Sequence, residues 1–129
     1  MTGPADSGVP ASLDKVRQVA EADPALLVLL VQRFLDDGRE QLDLVSAAVR
    51  EERADAVAFG AHRLRGGAVL FNADRFAALA ETLERSAEKG DLTQAAMLVA
   101  KLGEEFHIVC RHLATQAARP NPAGTPADL

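Results

Sequence analysis

The sequence predicts an all-α fold, an antiparallel up-down-up-down four-helix bundle with a short extra helix at the N-terminus. Apolar residues recur at spacings of three and four, which is typical of amphipathic helices, and no stretch alternates with the period of two that marks a strand. Five of the six prolines lie near the chain ends, which leaves Pro24 as the only one in the middle. The predicted connections are short, so consecutive helices must be antiparallel neighbours.

The first two helices are predicted from the residues that begin them. Ser12 is suited to cap a first helix at about residues 13–21. Asp23 followed by Pro24 combines an N-cap residue with a proline at the first helical position, and predicts a second helix that runs to about Arg50. Its core stripe is predicted to comprise Leu27, Leu30, Val31, Phe34, Gln41, Val45 and Val49, in which only Gln41 is polar.

The remaining three helices are separated by turn-forming residues. A third helix is predicted from about residue 55 to residue 70, and a fourth from after Asn72 to Gly90, which suits the left-handed position after a helix end. Asp91 is predicted to cap a fifth helix. The predicted core stripe of that helix comprises Ala95, Val99, Leu102, Phe106, Val109 and Leu113.

Composition and chain ends limit the classes of protein. Residues 12–116 are predicted to form one bundle, whereas residues 1–11 and 117–129 are rich in proline, glycine and alanine and are predicted to be disordered. The formal net charge of -5 and the absence of Tyr and Trp argue against nucleic-acid binding. The chain start lacks a signal peptide, and the longest apolar run is far shorter than a membrane span of ~20 residues. A single cysteine cannot form an internal disulfide, so we expect a cytoplasmic protein. We also expect a monomer.

The third helix contains an exposed histidine among costly glycines. On a helical wheel of about 100° per residue, His62 lies opposite the apolar face formed by Leu64 and Ala68. Each glycine in a helix costs up to ~1 kcal/mol relative to alanine, and this helix has three, Gly60, Gly66 and Gly67. Gly66 leaves space one turn from the imidazole. Arg65, also one turn away, offers a fixed positive charge for phosphate or carboxylate.

The segment AHRLRGG at residues 61–67 resembles the His-x-Leu-Lys-Gly signature of histidine-containing phosphotransfer (HPt) domains, and the resemblance extends over residues 23–113. It implies a four-helix bundle that passes a phosphoryl group between receiver-domain aspartates. His62 resembles the phosphorylated residue, Arg65 takes the place of the usual lysine, and Gly66 resembles the small neighbour. Asn72 stands where glycine is common and Gly67 where serine is common, and neither change removes the nucleophile.

Several further polar residues lie on the fourth and fifth predicted helices. Glu84 on the fourth helix is expected to face His62 and accept a hydrogen bond from one ring nitrogen, leaving the other exposed. His107, Cys110 and His112 do not converge on one helix face, so no metal site is expected. No cofactor is expected in this chain, and the resemblance implies that Mg²⁺ is held by the receiver partner.

The function predicted from the sequence is that of a phosphorelay intermediate in two-component signalling, with receiver domains of response regulators or hybrid histidine kinases as partners. The alternative is a non-catalytic helical adaptor that docks a receiver domain or a kinase. Whether to class the chain as an enzyme stays open, but autonomous kinase activity is not expected because 129 residues leave no room for an ATP-binding domain. Val28 or Leu29 is expected off the core face, either covered by the first helix or part of a docking patch.

Overall fold

The computed structural model describes residues 10–20 and 23–118 and confirms the all-α fold, since this part of the chain contains no strand. Five helices follow in order. They are α1 (Asp14–Ala20), α2 (Pro24–Arg50), α3 (Ala54–Leu70), α4 (Asp74–Glu88) and α5 (Ala95–Ala118). None of these helices is long and apolar enough to cross a membrane.

The four long helices form the bundle, and α1 packs against one end of it. Helix α3 contacts α2 and α4, and α5 closes the ring by contacting the same two helices. Helix α1 packs on α2 and is also tied to the end of α3. The backbone N–H of Ser12 donates to the carbonyl of Phe71 at 2.8 Å, and Lys15 Nζ donates to the carbonyl of Val69 at 3.2 Å.

Two of the three predicted N-terminal caps, those of Ser12 and Asp23, are present. One carboxylate oxygen of Asp23 accepts hydrogen bonds from the backbone N–H groups of Ala25 at 3.1 Å and Leu26 at 3.3 Å. Asp23 is therefore the N-cap residue of α2, which begins at Pro24. The hydroxyl of Ser12 accepts from the backbone N–H of Asp14 at 3.0 Å. These bonds satisfy donors that have no partner within the first turn of a helix.

Helices α2, α3 and α4 all end in the same hydrogen-bonded turn. The residue after each C-cap is in the left-handed region, with φ of 56° at Glu52, 52° at Asn72 and 76° at Gly90. The following backbone N–H returns to a carbonyl five residues earlier, as in a Schellman motif. These bonds run from Arg53 to Ala48 at 2.9 Å, from Ala73 to Ala68 at 3.0 Å and from Asp91 to Ser86 at 2.9 Å.

The bundle extends slightly beyond the predicted range of residues 12–116 at both ends. Ala11, assigned to the N-terminal tail, is buried in the core because Ser12 beside it is tied to the end of α3. Helix α5 continues to Ala118, two residues into the predicted C-terminal tail. Residues 1–9 and 119–129 of the predicted tails, and residue 21 at the predicted end of α1, lie outside the described residues.

The start and the core stripe of α5 also differ from the prediction. Asp91 accepts hydrogen bonds from the backbone N–H of Thr93 at 3.0 Å and from its hydroxyl at 2.7 Å, which lowers the pKa of the Asp91 carboxyl. These bonds form a separate turn, and the helix begins only at Ala95. The side chain of Leu98 is buried, whereas the predicted core residue Val99 is only partly buried.

The core is apolar and tightly packed around two glycines. Phe34 lies between Phe71 and Phe106, with ring centroids 4.5 Å and 5.9 Å away. A Cβ on Gly38 would lie 2.6 Å from Cζ of Phe106, and a Cβ on Gly60 would overlap Cγ2 of Val45. At these two positions glycine is required by the close approach of neighbouring side chains.

Replacing Gly60 by alanine is expected to destabilise the protein, because the β-branched Val45 cannot swing away from the added methyl group. Overpacking of this kind costs about 1–3 kcal/mol. The matched control is Gly103→Ala in α5, where a Cβ meets nothing within 4 Å. That change should stabilise the helix by up to ~1 kcal/mol. Urea denaturation measures both, and equal effects of the two changes would contradict the packing argument.

Candidate functional site

The third helix presents its histidine to solvent. The side chain of His62 is 62% exposed, while Val57, Leu64 and Ala68 on the opposite face are buried. This confirms the orientation predicted from the helical wheel. The chain folds this way because the apolar residues at spacings of three and four face the core, and the intervening positions are left at the surface.

A carboxylate from the neighbouring helix reaches two of the predicted site residues. Glu84 on α4 lies with Oε2 at 3.0 Å from Nδ1 of His62 and with Oε1 at 3.1 Å from Nε of Arg65. Its side chain is only 13% exposed, so this ion pair is shielded from water on the carboxylate side. The structure thus brings together the side chains of His62, Arg65 and Glu84.

The hydrogen bonds of Nδ1 decide which tautomer of His62 is favoured. Nη2 of Arg65 also lies 3.1 Å from Nδ1. Nδ1 can either donate a hydrogen bond to Glu84 or accept one from Arg65, but it cannot do both. An ionised carboxylate only accepts, whereas Arg65 already has a partner in Glu84. We therefore assign the Nδ1–H tautomer, with Nδ1 donating to Glu84. The lone pair of Nε2 is then directed away from this contact.

Arg65 occupies the predicted position one turn from His62, but its guanidinium is on the Nδ1 side of the ring. Glu84 holds it there through Nε, and about a third of its side chain is exposed. The guanidinium therefore neutralises the carboxylate that orients the imidazole. Its Nη2 group retains donor capacity beside the ring.

Gly66 leaves open space next to the imidazole, since a Cβ there would meet nothing within 4 Å. Beside it, α2 and α3 enclose a shallow groove of about 370 Å³ that is mainly apolar. Leu30, Gly66, Gly67 and Leu70 are among its lining residues, with Arg33 and Arg63 at its margin. On α2 both Val28 and Leu29 are more than half exposed, so α1 does not cover them, which rules out the first of the two alternatives.

The remaining two histidines and the cysteine, His107, His112 and Cys110, all lie on α5. Among residues 10–20 and 23–118, no group of three or more His, Cys, Asp or Glu side chains is placed to hold a metal ion. Cys110 is half-buried, and desolvation raises the pKa of its thiol. A thiol with a raised pKa is a poor nucleophile at neutral pH.

One exposed residue of this surface did not emerge from the sequence. Phe59, one turn before His62 on α3, is 65% exposed, and the guanidinium carbon of Arg63 lies 5.9 Å from its ring centroid. On the helical wheel Phe59 lies only about 60° from His62, which is a signal available in the sequence. The groove beside it is made by two helices and therefore depends on their packing.

Comparisons with known proteins find a matching family and a similar fold. A family model described as "Hpt domain" matches residues 29–118. The chain is also similar to the crystal structure of histidine-containing phosphotransfer protein B (HptB) from Pseudomonas aeruginosa PAO1, with a TM-score of 0.80 and 26% sequence identity. That similarity covers 89% of this chain and 100% of the HptB chain. Comparison with curated protein sequences gives no significant match.

Replacing Glu84 by alanine is expected to weaken the preference of His62 for the Nδ1–H tautomer. A hydrogen bond to a charged group contributes about 1.5–3 kcal/mol, so its loss should change the ratio of the two neutral tautomers by about tenfold or more. Long-range ¹H–¹⁵N correlation spectra of the imidazole measure this ratio. The control is Glu81→Ala, which removes a carboxylate that pairs with Arg85 on the same helix. An unchanged tautomer ratio in the Glu84 variant would contradict the assignment.

Proposed function

The chain belongs to the Hpt domain family, and from this membership we propose that it is a phosphorelay intermediate in which His62 accepts a phosphoryl group from a receiver-domain aspartate and passes it to another receiver. The observation that supports this most directly is an exposed imidazole whose Nδ1 is engaged by a shielded carboxylate. Such a ring presents one unprotonated nitrogen, Nε2, to a docked partner. The match to HptB supports the same class of function, a phosphotransfer intermediate in two-component signalling.

In the proposed reaction, the lone pair of Nε2 attacks the phosphorus of an aspartyl phosphate. A nitrogen–phosphorus bond forms, the bond between phosphorus and the aspartate oxygen breaks, and the aspartate leaves as a carboxylate. Nδ1 keeps its proton throughout, and the positive charge that develops on the ring is balanced by Glu84 at 3.0 Å. Transfer to the next receiver reverses these steps. Phosphoryl transfer needs mainly such positioning and charge balance.

Three neighbours of His62 have proposed roles in this reaction. Glu84 is a positioning residue, because it acts through Nδ1. Arg65 fixes Glu84 through Nε and places a positive charge on the Nδ1 side of the ring. Gly66 provides the clearance that a receiver's active-site loops need in order to reach the imidazole.

The proposed partners are receiver domains of response regulators or hybrid histidine kinases. We assign no cofactor to this chain and propose that Mg²⁺ is held by the receiver. The net charge of -5 is consistent with a protein that does not bind nucleic acid. We propose that the protein acts as a cytoplasmic monomer. An adaptor that only docks a receiver would bind without becoming phosphorylated, which the next experiment tests.

Replacing His62 by glutamine is expected to abolish labelling of the protein by phosphorylated receiver domains. The exposed side chain contributes little to stability, so helicity and melting temperature should be nearly unchanged. The matched control, His107→Gln, removes another exposed histidine and should be labelled at the rate of the parent. Acid-labile phosphate on the His62 variant would contradict the assignment of the acceptor, and binding without labelling of the parent would support the adaptor.

Changes at Arg65 are expected to separate its charge from its size. Arg65→Ala should slow single-turnover transfer to and from His62 and reduce the salt dependence of receiver binding. Arg65→Lys should restore much of the rate, because a lysine retains the positive charge. Arg65→Glu should be slower than the alanine variant, because it places a second carboxylate beside Glu84. Transfer is measured at two salt concentrations. Equal rates for the three variants would show that the charge plays no part.

A further inference from the structure

Nδ1 of His62 lies between two groups that require opposite protonation states of that nitrogen. The carboxylate of Glu84, at 3.0 Å, only accepts hydrogen bonds, so it favours a ring with its proton on Nδ1. Nη2 of Arg65, at 3.1 Å, only donates, so it favours a ring with its proton on Nε2. Each tautomer therefore forms one of the two hydrogen bonds and makes the other contact unfavourable.

The two tautomers differ in their reactivity toward a phosphoryl donor. When the proton is on Nδ1, Nε2 has the lone pair that attacks phosphorus. When the proton is on Nε2, that nitrogen has no free lone pair, and the lone pair of Nδ1 faces Glu84 and Arg65. A hydrogen bond from Arg65 to Nδ1 therefore makes His62 unreactive at the exposed nitrogen.

Glu84 keeps this balance on the reactive side through a second contact. Its Oε1 accepts a hydrogen bond from Nε of Arg65 at 3.1 Å, which ties the guanidinium to the carboxylate. One hydrogen bond to a charged group changes a two-state ratio by about tenfold or more, and here two such bonds act in opposite directions. The preference for the Nδ1–H tautomer is therefore smaller than Glu84 alone would give.

The guanidinium is also the more accessible of the two charged groups. The Arg65 side chain is 35% exposed, whereas that of Glu84 is 13% exposed. A guanidinium has five N–H donors in a planar arrangement that suits carboxylate and phosphate groups. An anionic group of a docked partner can therefore compete with Nδ1 for Nη2 while Glu84 stays in place beside the ring.

We propose that Arg65 is an inhibitory hydrogen-bond donor to His62, which Glu84 restrains and which an anionic group of the docked partner removes. The acceptor then becomes fully reactive only when such a partner is present. The role of the partner rests on the proposed function of His62. The competition between Arg65 and Glu84 depends only on the three side chains, so the two parts are separable by experiment.

The first measurement is the tautomer ratio of His62 in long-range ¹H–¹⁵N spectra, at a pH of about 8.5, well above the ordinary pKa of a histidine. The key comparison is between Glu84→Ala and the double variant Glu84→Ala/Arg65→Met, neither of which leaves an unpaired carboxylate at position 84. The double variant should have a ratio of Nδ1–H to Nε2–H about tenfold higher, because the competing donor is gone. An equal ratio in the two variants would overturn the proposal.

The second measurement is the rate at which phosphoramidate labels His62. Nε2 attacks its phosphorus, a new nitrogen–phosphorus bond forms, the donor's own bond breaks, and ammonia leaves. Glu84→Ala should slow labelling about fivefold or more, and adding Arg65→Met should restore at least about half of the parent rate. If Arg65 only supplies positive charge, the added change slows labelling further, and that result would overturn the proposal.

The matched control is Arg85→Met in the Glu84→Ala background. Arg85 lies on α4 and pairs with Glu81, and its side chain is 71% exposed. This change removes the same kind of side chain without touching Nδ1, so neither the tautomer ratio nor the labelling rate should recover. Recovery in the control equal to that of the Arg65 variant would show a general effect of charge and overturn the proposal.

The third measurement adds the partner in its unphosphorylated form, as the receiver that labels the parent fastest in a panel from the same genome. Saturating receiver should raise the Nδ1–H to Nε2–H ratio of the parent about threefold or more and leave that of Arg65→Met unchanged. An unchanged ratio in the parent would overturn the role of the partner. If no receiver labels His62, the proposed function fails, whereas the first two measurements still decide whether Arg65 competes with Glu84.

Discussion

The close packing of α3 against α4 is the contact on which the candidate site depends. The buried residues of these two helices include many small ones, which let helices approach closely. They are Ala61, Ala68, Ala80 and Ala87. This approach allows the short reach of Glu84 to bring its two oxygens to 3.0 Å from His62 and 3.1 Å from Arg65. The geometry at the surface is therefore set by alanines in the core.

Exposure increases stepwise across the site. Glu84 is the most shielded of the three charged or titratable side chains, Arg65 is intermediate and His62 is the most exposed. A carboxylate that loses contact with water needs a charged partner, and Arg65 supplies it. The other carboxylate oxygen is then available to the imidazole. The two groups that hold the imidazole are thus the more shielded ones, and the imidazole itself is the most exposed.

Local chemical signals explain which parts of the fold could be predicted from the sequence. Asp23 before Pro24 and the glycine at position 90 have specific conformational roles, and both mark a helix boundary as expected. Glu52 gave no such signal, because its left-handed conformation is imposed by the short connection between α2 and α3. The start of α5 was missed because the bonds that Asp91 accepts from Thr93 make a turn of their own.

In the site, too, the features that depend on a single helix could be predicted from the sequence, whereas those that depend on the packing of two helices could not. The helical wheel places His62 at the surface and Arg65 one turn away, since both follow from the geometry of one helix. The contact with Glu84 depends on how far one helix slides along another, which is set by core packing and is not contained in either segment alone. The resemblance to HPt domains indicated the relevant residues. The groove beside Phe59 is a property of two packed helices.

The hydrogen-bonded turn at Asn72 connects the two helices that carry the site, so His62 and Glu84 are separated by only 22 residues of chain. Contacts between residues so close in sequence form with little loss of chain entropy and favour rapid folding. The α3–α4 hairpin therefore carries both members of the His62–Glu84 contact within one short stretch of chain, while α2 packs against α3 and α5 packs against α4.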